Sequence, residues 1–186
     1  MTPLVAAVAK LLAILTVFTD IGIILFIGSA LLSMAIKPIR TKREVLLKSI
    51  APYARILAFI VAIAATSGSL FYSEVAHFTP CLLCWWQRIL MYPQVLLIGL
   101  GIVKKDKDIA GYAMAMSGVG GLISLYHYYI QLGGNKFIPC STVGYSIDCT
   151  QRFSLEFGYI TIPMMALSAF VAIFLLMTVA KQHHTT

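Results

Sequence analysis

The stretch Thr79-Pro-Cys-Leu-Leu-Cys-Trp-Trp-Gln-Arg-Ile-Leu-Met-Tyr-Pro-Gln-Val-Leu-Leu-Ile-Gly-Leu-Gly-Ile-Val103 decides how this chain is read. A bilayer span needs about 20 apolar residues at a rise of 1.5 Å each, and Trp85–Val103 has that length and character. Hydrocarbon offers no hydrogen-bond partner to the backbone, so such a run must be helical. A Cys-x-x-Cys pair, Cys81 and Cys84, stands at its mouth, and Arg88 lies about one turn inside it. Apolar length predicts a membrane helix; the thiols and the buried cation predict chemistry at one end of it.

Working outward, four more runs qualify: Leu11–Ile36 with a start that extends toward Leu4, Pro52–Tyr72, Ile109–Ile130 and Tyr159–Ala180. The chain is 60% hydrophobic and 11% charged with a mean hydropathy of +0.89, more apolar surface than a soluble domain can bury. The expected architecture is an all-α integral membrane protein, a small helical bundle in one domain, without internal repeats or a soluble domain. The first run is longer than the 7–15-residue core of a secretory signal, and its basic cluster follows rather than precedes it, which favours a retained helix. Asp20, near its middle, is costly in lipid and is expected to face the bundle or stay protonated.

The net charge of +7 is distributed as a topology signal. Lys37, Arg40, Lys42, Arg43, Lys48 and Arg55 surround the first connection, opposed only by Glu44. Lys104, Lys105 and Lys107 occupy the third, with Asp106 and Asp108, and Lys181 follows the last span. The positive-inside rule makes these segments cytoplasmic. The N-terminus and the loops Ser73–Leu83 and Gln131–Gly158 are then outside, each loop carrying a cysteine pair with Cys84 at the helix mouth. Thr41–Ser49 reads as a polar connector able to form a short surface helix. Contact with anionic headgroups explains the basic cluster better than nucleic acid does, since no aromatic-interleaved basic surface accompanies it.

Pro80 suits a helix start. The unpaired N–H groups and partial positive charge of a helix N-terminus stabilise a thiolate, the reactive form of cysteine. If Cys81 is already helical, Cys81, Cys84 and Arg88 share one face, which Tyr92 continues. Arg88 needs an acceptor at that depth. A quinone carbonyl would serve, and a cation beside it stabilises the charge that develops on reduction. The thiols on its own face favour this role over snorkelling to headgroups. Trp85 and Trp86 read as interfacial belt residues, and Pro93 as a kink.

After Gly133-Gly134, Cys140 and Cys149 can close a short ring, which chain entropy alone would stabilise by roughly 2–3 kcal/mol. A structural disulfide is one reading. An exposed exchange partner is the other, since thiolate attack needs access and long loops tend to be functional. Zinc bound by all four sulfurs is disfavoured by the wide second spacing and the oxidising outer face, so no metal is expected. His127, near the outer end of the fourth span, either hydrogen-bonds a quinone carbonyl or shuttles its proton, or is a satisfied interfacial histidine. His77, Glu74, His183 and His184 read as solvated, and Pro163 as a helix start or kink.

The segment Thr79–Pro93, with Tyr126-His127, Ile138-Pro-Cys140 and Phe157-Gly-Tyr-Ile-Thr-Ile-Pro163, resembles the disulfide bond formation protein B family, particularly its BdbC-type branch, over about Tyr53–Val179. The resemblance implies a four-helix transmembrane bundle, residues 51–180, with one additional N-terminal transmembrane helix and basic loop in residues 1–50 and a short cytoplasmic tail, 181–186. It implies a bacterial plasma-membrane thiol:quinone oxidoreductase. Such an enzyme reoxidises an extracytoplasmic thioredoxin-fold thiol oxidase and passes the electrons to the membrane pool of ubiquinone or menaquinone. Carried onto this chain, Cys140 exchanges with the partner and Cys149 resolves, alone or through a transient bond with Cys81. Cys84 is the thiolate beside the quinone, and Arg88 orients and polarises it; Tyr92 and His127 complete the expected quinone site. A vitamin-K-epoxide-reductase-like enzyme and a scaffold with structural disulfides are the alternatives; the Gln87-Arg88 context beside Cys84 favours the first reading over the vitamin-K-type one.

Overall fold

Among the described residues, five helical stretches are long and apolar enough to cross a membrane. The computed structural model describes residues 2–106, 108–137, 140 and 148–185; Lys107, Ile138 and Pro139, named above, lie outside them. Helix α1 (Pro3–Ala35) is followed by α2 (Lys37–Ile50) and, through a single 3-10 turn, by α3 (Ala54–Leu70). Then come α4 (Leu82–Val103), α5 (Ile109–Gln131) and α6 (Ile162–Thr185).

Helices α3 to α6 close a four-helix ring, in which α3 and α5 each pack on both α4 and α6. Its centre alternates small and large side chains. Ala58 and Ala62 of α3 and Ala110 and Ala113 of α5 meet Met91 and Ile98 of α4 and Phe170, Ile173 and Met177 of α6. Small residues let backbones approach closely, which is how helices associate where lipid removes the hydrophobic drive. Between α4 and α5 a buried polar pair adds to this: the Ser117 hydroxyl donates to Gln94 Oε1 at 2.9 Å.

Helix α1 lies outside the ring, against α2 and α6. It begins at Pro3, earlier than the apolar run from Leu11 requires, because Thr2 caps it by accepting from the Val5 N–H and proline is well suited to the first helical position. Asp20 faces the bundle, where the Ser168 hydroxyl donates to its Oδ1. The basic connector is helical over all of Lys37–Ile50 with no buried residue, longer than the Thr41–Ser49 segment expected. Ala51 and Ala54 at its end pack on Val179 and Ala180 near the end of α6.

The other end of the ring carries the cysteines. Helix α3 runs into a π-helical turn, Phe71–Val75, before the chain turns toward α4. Helix α5 ends in a paired terminal motif: the Gly133 N–H bonds the Ile130 carbonyl and the Gly134 N–H bonds the Tyr129 carbonyl. This needs a left-handed residue after the cap, and Gly133 has φ +97°. Helix α6 starts with Pro163 as its second residue, where a missing N–H costs nothing.

Candidate functional site

Cys81 is the N-cap of α4 with extended backbone, so it does not continue the helical face of Cys84 and Arg88 as a helical Cys81 would. Its sulfur accepts from the Cys84 N–H at 3.2 Å, a role usually filled by a serine or aspartate oxygen. The two sulfurs are 2.6 Å apart. They are free thiols, whereas Cys140 and Cys149 are joined as a disulfide. The hydrogen bond with Cys84, and then burial, push the Cys81 thiol well above the ordinary range.

Cys81, Cys140 and Cys149 form one buried cluster with Leu83 and Ile130, and the half-buried Cys84 packs against it. His127 of α5 contacts it through both cysteine pairs. Its Nε2 lies 3.1 Å from the Cys149 carbonyl and 3.6 Å from Cys81 Sγ, and its Nδ1 lies 3.1 Å from Gln87 Nε2. One tautomer satisfies these contacts: Nε2–H donates to the Cys149 carbonyl, and Nδ1 accepts from the Gln87 amide. The ligand atoms of Cys81, Cys84 and His127 lie within 4.8 Å of one another. Four-sulfur metal binding is not open to this state, because Cys140 and Cys149 hold each other.

On the other side of Cys84 lies a cavity of about 470 Å³, within the range of roughly 300–1,000 Å³ usual for small-molecule sites. It lies among α1, α3, α4 and α6, and Cys84, Arg88 and Tyr92 line it. Its lining is mostly apolar with a few convergent polar groups. Arg88 donates from Nε to the Ser69 hydroxyl at 3.1 Å and from Nη2 to the Ser69 carbonyl at 3.2 Å, and the Tyr92 hydroxyl donates to the same Ser69 oxygen at 3.1 Å. Among the described residues, Arg88 Nη1 has no hydrogen-bond partner. The guanidinium also lies over the Trp85 ring, 5.4 Å from its centroid. Three nearly parallel rings, Tyr72, Phe78 and Phe153, stack beside the cavity. A flat, apolar molecule with a carbonyl acceptor fits this lining: the rings and aliphatic walls suit its body, and the anchored guanidinium suits its oxygen.

The structure therefore gathers Cys84, Arg88 and Tyr92 on the cavity and Cys81, Cys140, Cys149 and His127 in the adjoining cluster. His127 is not among the residues lining the cavity; it lines the small recess beside Cys149. Trp85 and Trp86 are about half exposed at the helix mouth. Ser69 was not singled out in the sequence. Its signal was the polar interruption Thr66-Ser-Gly-Ser69 late in an apolar span.

The two described flanks of the second loop are tied to each other. Lys136 Nζ bonds Asp148 at 2.7 Å, and the Thr150 N–H donates to Asp148 Oδ1 at 3.0 Å. Lys136 first, and Thr150 after it, hold the Asp148 carboxyl down to about 2.

Residues 52–180 match the family model described as disulfide bond formation protein DsbB. The chain is 44% identical over 124 residues to a probable disulfide formation protein C 1 of Bacillus cereus, an alignment covering 65% of this chain and 86% of that protein. It is 45% identical over 128 residues to a probable disulfide formation protein of Oceanobacillus iheyensis, covering 65% and 83%. It is 40% identical over 126 residues to disulfide bond formation protein C of Bacillus subtilis, covering 67% and 89%. No solved structure matches the chain.

Proposed function

Because the chain belongs to the disulfide bond formation protein DsbB family, a family of multi-pass bacterial membrane proteins that form disulfides, we propose that it oxidises an extracytoplasmic thioredoxin-fold thiol oxidase and delivers the electrons to quinone. One observation carries this reading: the free Cys81/Cys84 pair lies between the Cys140–Cys149 disulfide and the cavity that holds Arg88.

The sequence of exchanges follows from that order. A partner thiolate attacks the Cys140–Cys149 disulfide at Cys140, forming a mixed disulfide and releasing the Cys149 thiolate. The second partner thiol resolves the mixed disulfide, so the partner leaves oxidised and Cys140/Cys149 hold two electrons and two protons. The same exchange, run from Cys149 onto an oxidised Cys81–Cys84 pair, restores the Cys140–Cys149 disulfide and leaves Cys81 and Cys84 as thiols. His127 holds the Cys149 backbone against Cys81 for this step. Quinone supplies the acceptor for the two electrons and two protons released when Cys81 and Cys84 close again. Cys84 is the sulfur on the cavity side. Arg88, held by Ser69 and followed by Tyr92, orients the acceptor oxygen and stabilises negative charge there.

Residues 1–50 then form an added helix and basic segment before a catalytic bundle of residues 51–180. The basic residues of α2, with Lys104 and Lys105, support a cytoplasmic assignment for that end and an extracytoplasmic one for the cysteines and the N-terminus.

The test mixes purified protein, a reduced thioredoxin-fold oxidase and a soluble quinone, and follows quinone absorbance. Turnover is expected with the native chain. Cys84→Ser should abolish quinone reduction yet still form a mixed disulfide with the partner through Cys140. Retained quinone turnover in that variant would refute the assignment of Cys84.

A further inference from the structure

The matched family region begins at residue 52, yet one wall of the cavity comes from α1. Leu12, Leu15, Thr16, Phe18 and Thr19 line it opposite Cys84 and Arg88. We propose that α1 is a working part of the quinone site, an added wall that encloses the bound ring and sets which quinones are held and how tightly. The inference rests on the functional reading above and deepens it.

The position of α1 is specified at three levels along its length. Near the start, Val5, Ala9, Ala13 and Thr16 form its buried stripe, and Leu12 lies where a Cβ on Gly68 of α3 would be 3.0 Å from its methyl. Close to the middle, the Ser168 hydroxyl of α6 bonds Asp20. Toward the far end, Phe26 packs with Ala51, Ala54, Val179 and Ala180, and the Arg43 guanidinium lies 5.4 Å from its ring centroid. Between the first and second of these levels the helix stands over the cavity instead of closing onto α3 and α4.

That arrangement has a physical reason. An ionisable group is rarely tolerated at membrane depth without a partner, so Asp20 sets the depth and rotation of a mostly apolar helix whose other charged residue, Lys10, is exposed near its start. The Thr16 and Thr19 hydroxyls donate to the Leu12 and Leu15 carbonyls of their own helix. The wall that α1 presents is thus apolar with two acceptor lone-pair sites, suited to a ring bearing apolar substituents. Without this wall the Cys84–Arg88 side of the cavity would open to lipid acyl chains, which compete with a hydrophobic acceptor. Enclosure removes that competition and adds steric selection.

Two substitutions on the lining, Leu15→Phe and Thr19→Phe, and one on the exposed face, Ile14→Phe, separate this role from a passive anchor. Binding of a soluble short-chain ubiquinone is read by quenching of Trp85 and Trp86, the two tryptophans of the chain, and does not depend on turnover. A photoreactive ubiquinone analogue maps the contact by peptide sequencing. Both lining variants are expected to weaken binding at least tenfold, Ile14→Phe to change it less than twofold, and the label to appear on the α1 peptide. In a single turnover without quinone, Ile14→Phe should oxidise reduced partner as the native chain does, which shows that a phenylalanine on α1 does not by itself disturb the bundle. Native affinity in both lining variants, with label confined to α3 and α4, would overturn the role of α1 and leave the quinone reading standing. Failure of the native protein to bind or reduce quinone would overturn both.

Discussion

Arg88 holds Ser69 twice, from Nε to the hydroxyl and from Nη2 to the backbone carbonyl. The contact joins α4 to the last turn of α3 and leaves the guanidinium facing the cavity next to Cys84. A cation this deep needs acceptors, and Ser69 supplies two of them, its hydroxyl and its carbonyl.

Removing the shared acceptor isolates that effect. Ser69→Ala leaves the carbonyl contact but strips Arg88 Nε and the Tyr92 hydroxyl of their common partner. Hydrogen bonds to charged groups contribute about 1.5–3 kcal/mol, and roughly 1.4 kcal/mol is a tenfold change in affinity. The KM for quinone should therefore rise about tenfold, with partner oxidation in a quinone-free single turnover unaffected. An unaltered KM would show that Arg88 is aimed by something other than Ser69.

His127 links the two cysteine pairs through Cys81 and the Cys149 carbonyl, and Gln87 fixes its ring from the opposite side. His127→Phe keeps most of the volume and leaves the Gln87 amide and the Cys149 carbonyl unpartnered, each at a cost of about 1–3 kcal/mol. Thermal stability in detergent should fall. Electron passage from reduced Cys140/Cys149 to oxidised Cys81/Cys84, followed by rapid acid quench and thiol labelling, should slow at least tenfold. Quinone affinity should stay native, because His127 does not line the cavity; a large affinity loss instead would move His127 to the quinone site.

Asp148, next to Cys149, makes a prediction about pH. Its folded value, about 2, lies below the ordinary carboxylate range because Lys136 and the Thr150 N–H favour the ionised form. For a depressed acid, the stabilisation is fully present above the unfolded value near 3.9 and is lost as pH falls through the folded one. The tie between Lys136 and Asp148 should hold at pH 5 and dissolve between about pH 4 and pH 2. Carbon-13 aspartate NMR should give a midpoint near 2 in the native chain and a higher one in Lys136→Ala, where the Thr150 N–H still favours the ionised form. Equal midpoints in the two proteins would dissolve the assignment.

The membrane helices were readable from length and apolarity alone, and Arg88 announced itself as a cation inside an apolar run. Other features were not, for identifiable reasons. Ser69 matters through a partner that is 19 residues away, and an interhelical hydrogen bond leaves no periodic signal. Cys81 looked like a face-sharing neighbour of Arg88, but as an N-cap it turns toward His127. The lining role of α1 was invisible because apolar residues spread around nearly the whole helix do not advertise which face is packed. Asp20 marked the depth of that helix without revealing Ser168 as its partner.

Gly120 tests how the ring and the cavity share one side chain. A Cβ at Gly120 would stand 2.4 Å from Cε1 and Cζ of Phe170, whereas one at the next residue, Gly121, would meet Phe170 Cβ at an ordinary 3.8 Å. Phe170 is fully buried and also lines the cavity, so it can yield only by shifting against its core neighbours or into the cavity. Overpacking of this kind costs about 1–3 kcal/mol. Gly120→Ala should lower stability in detergent and weaken quinone binding together, while Gly121→Ala leaves both unchanged. Phe170→Leu in the Gly120→Ala background should recover stability relative to the sum of the single changes, since contacting sites couple in a double-mutant cycle. Strict additivity would mean that the α5–α6 contact does not bear on Phe170, and the shared packing of core and cavity would have to be abandoned.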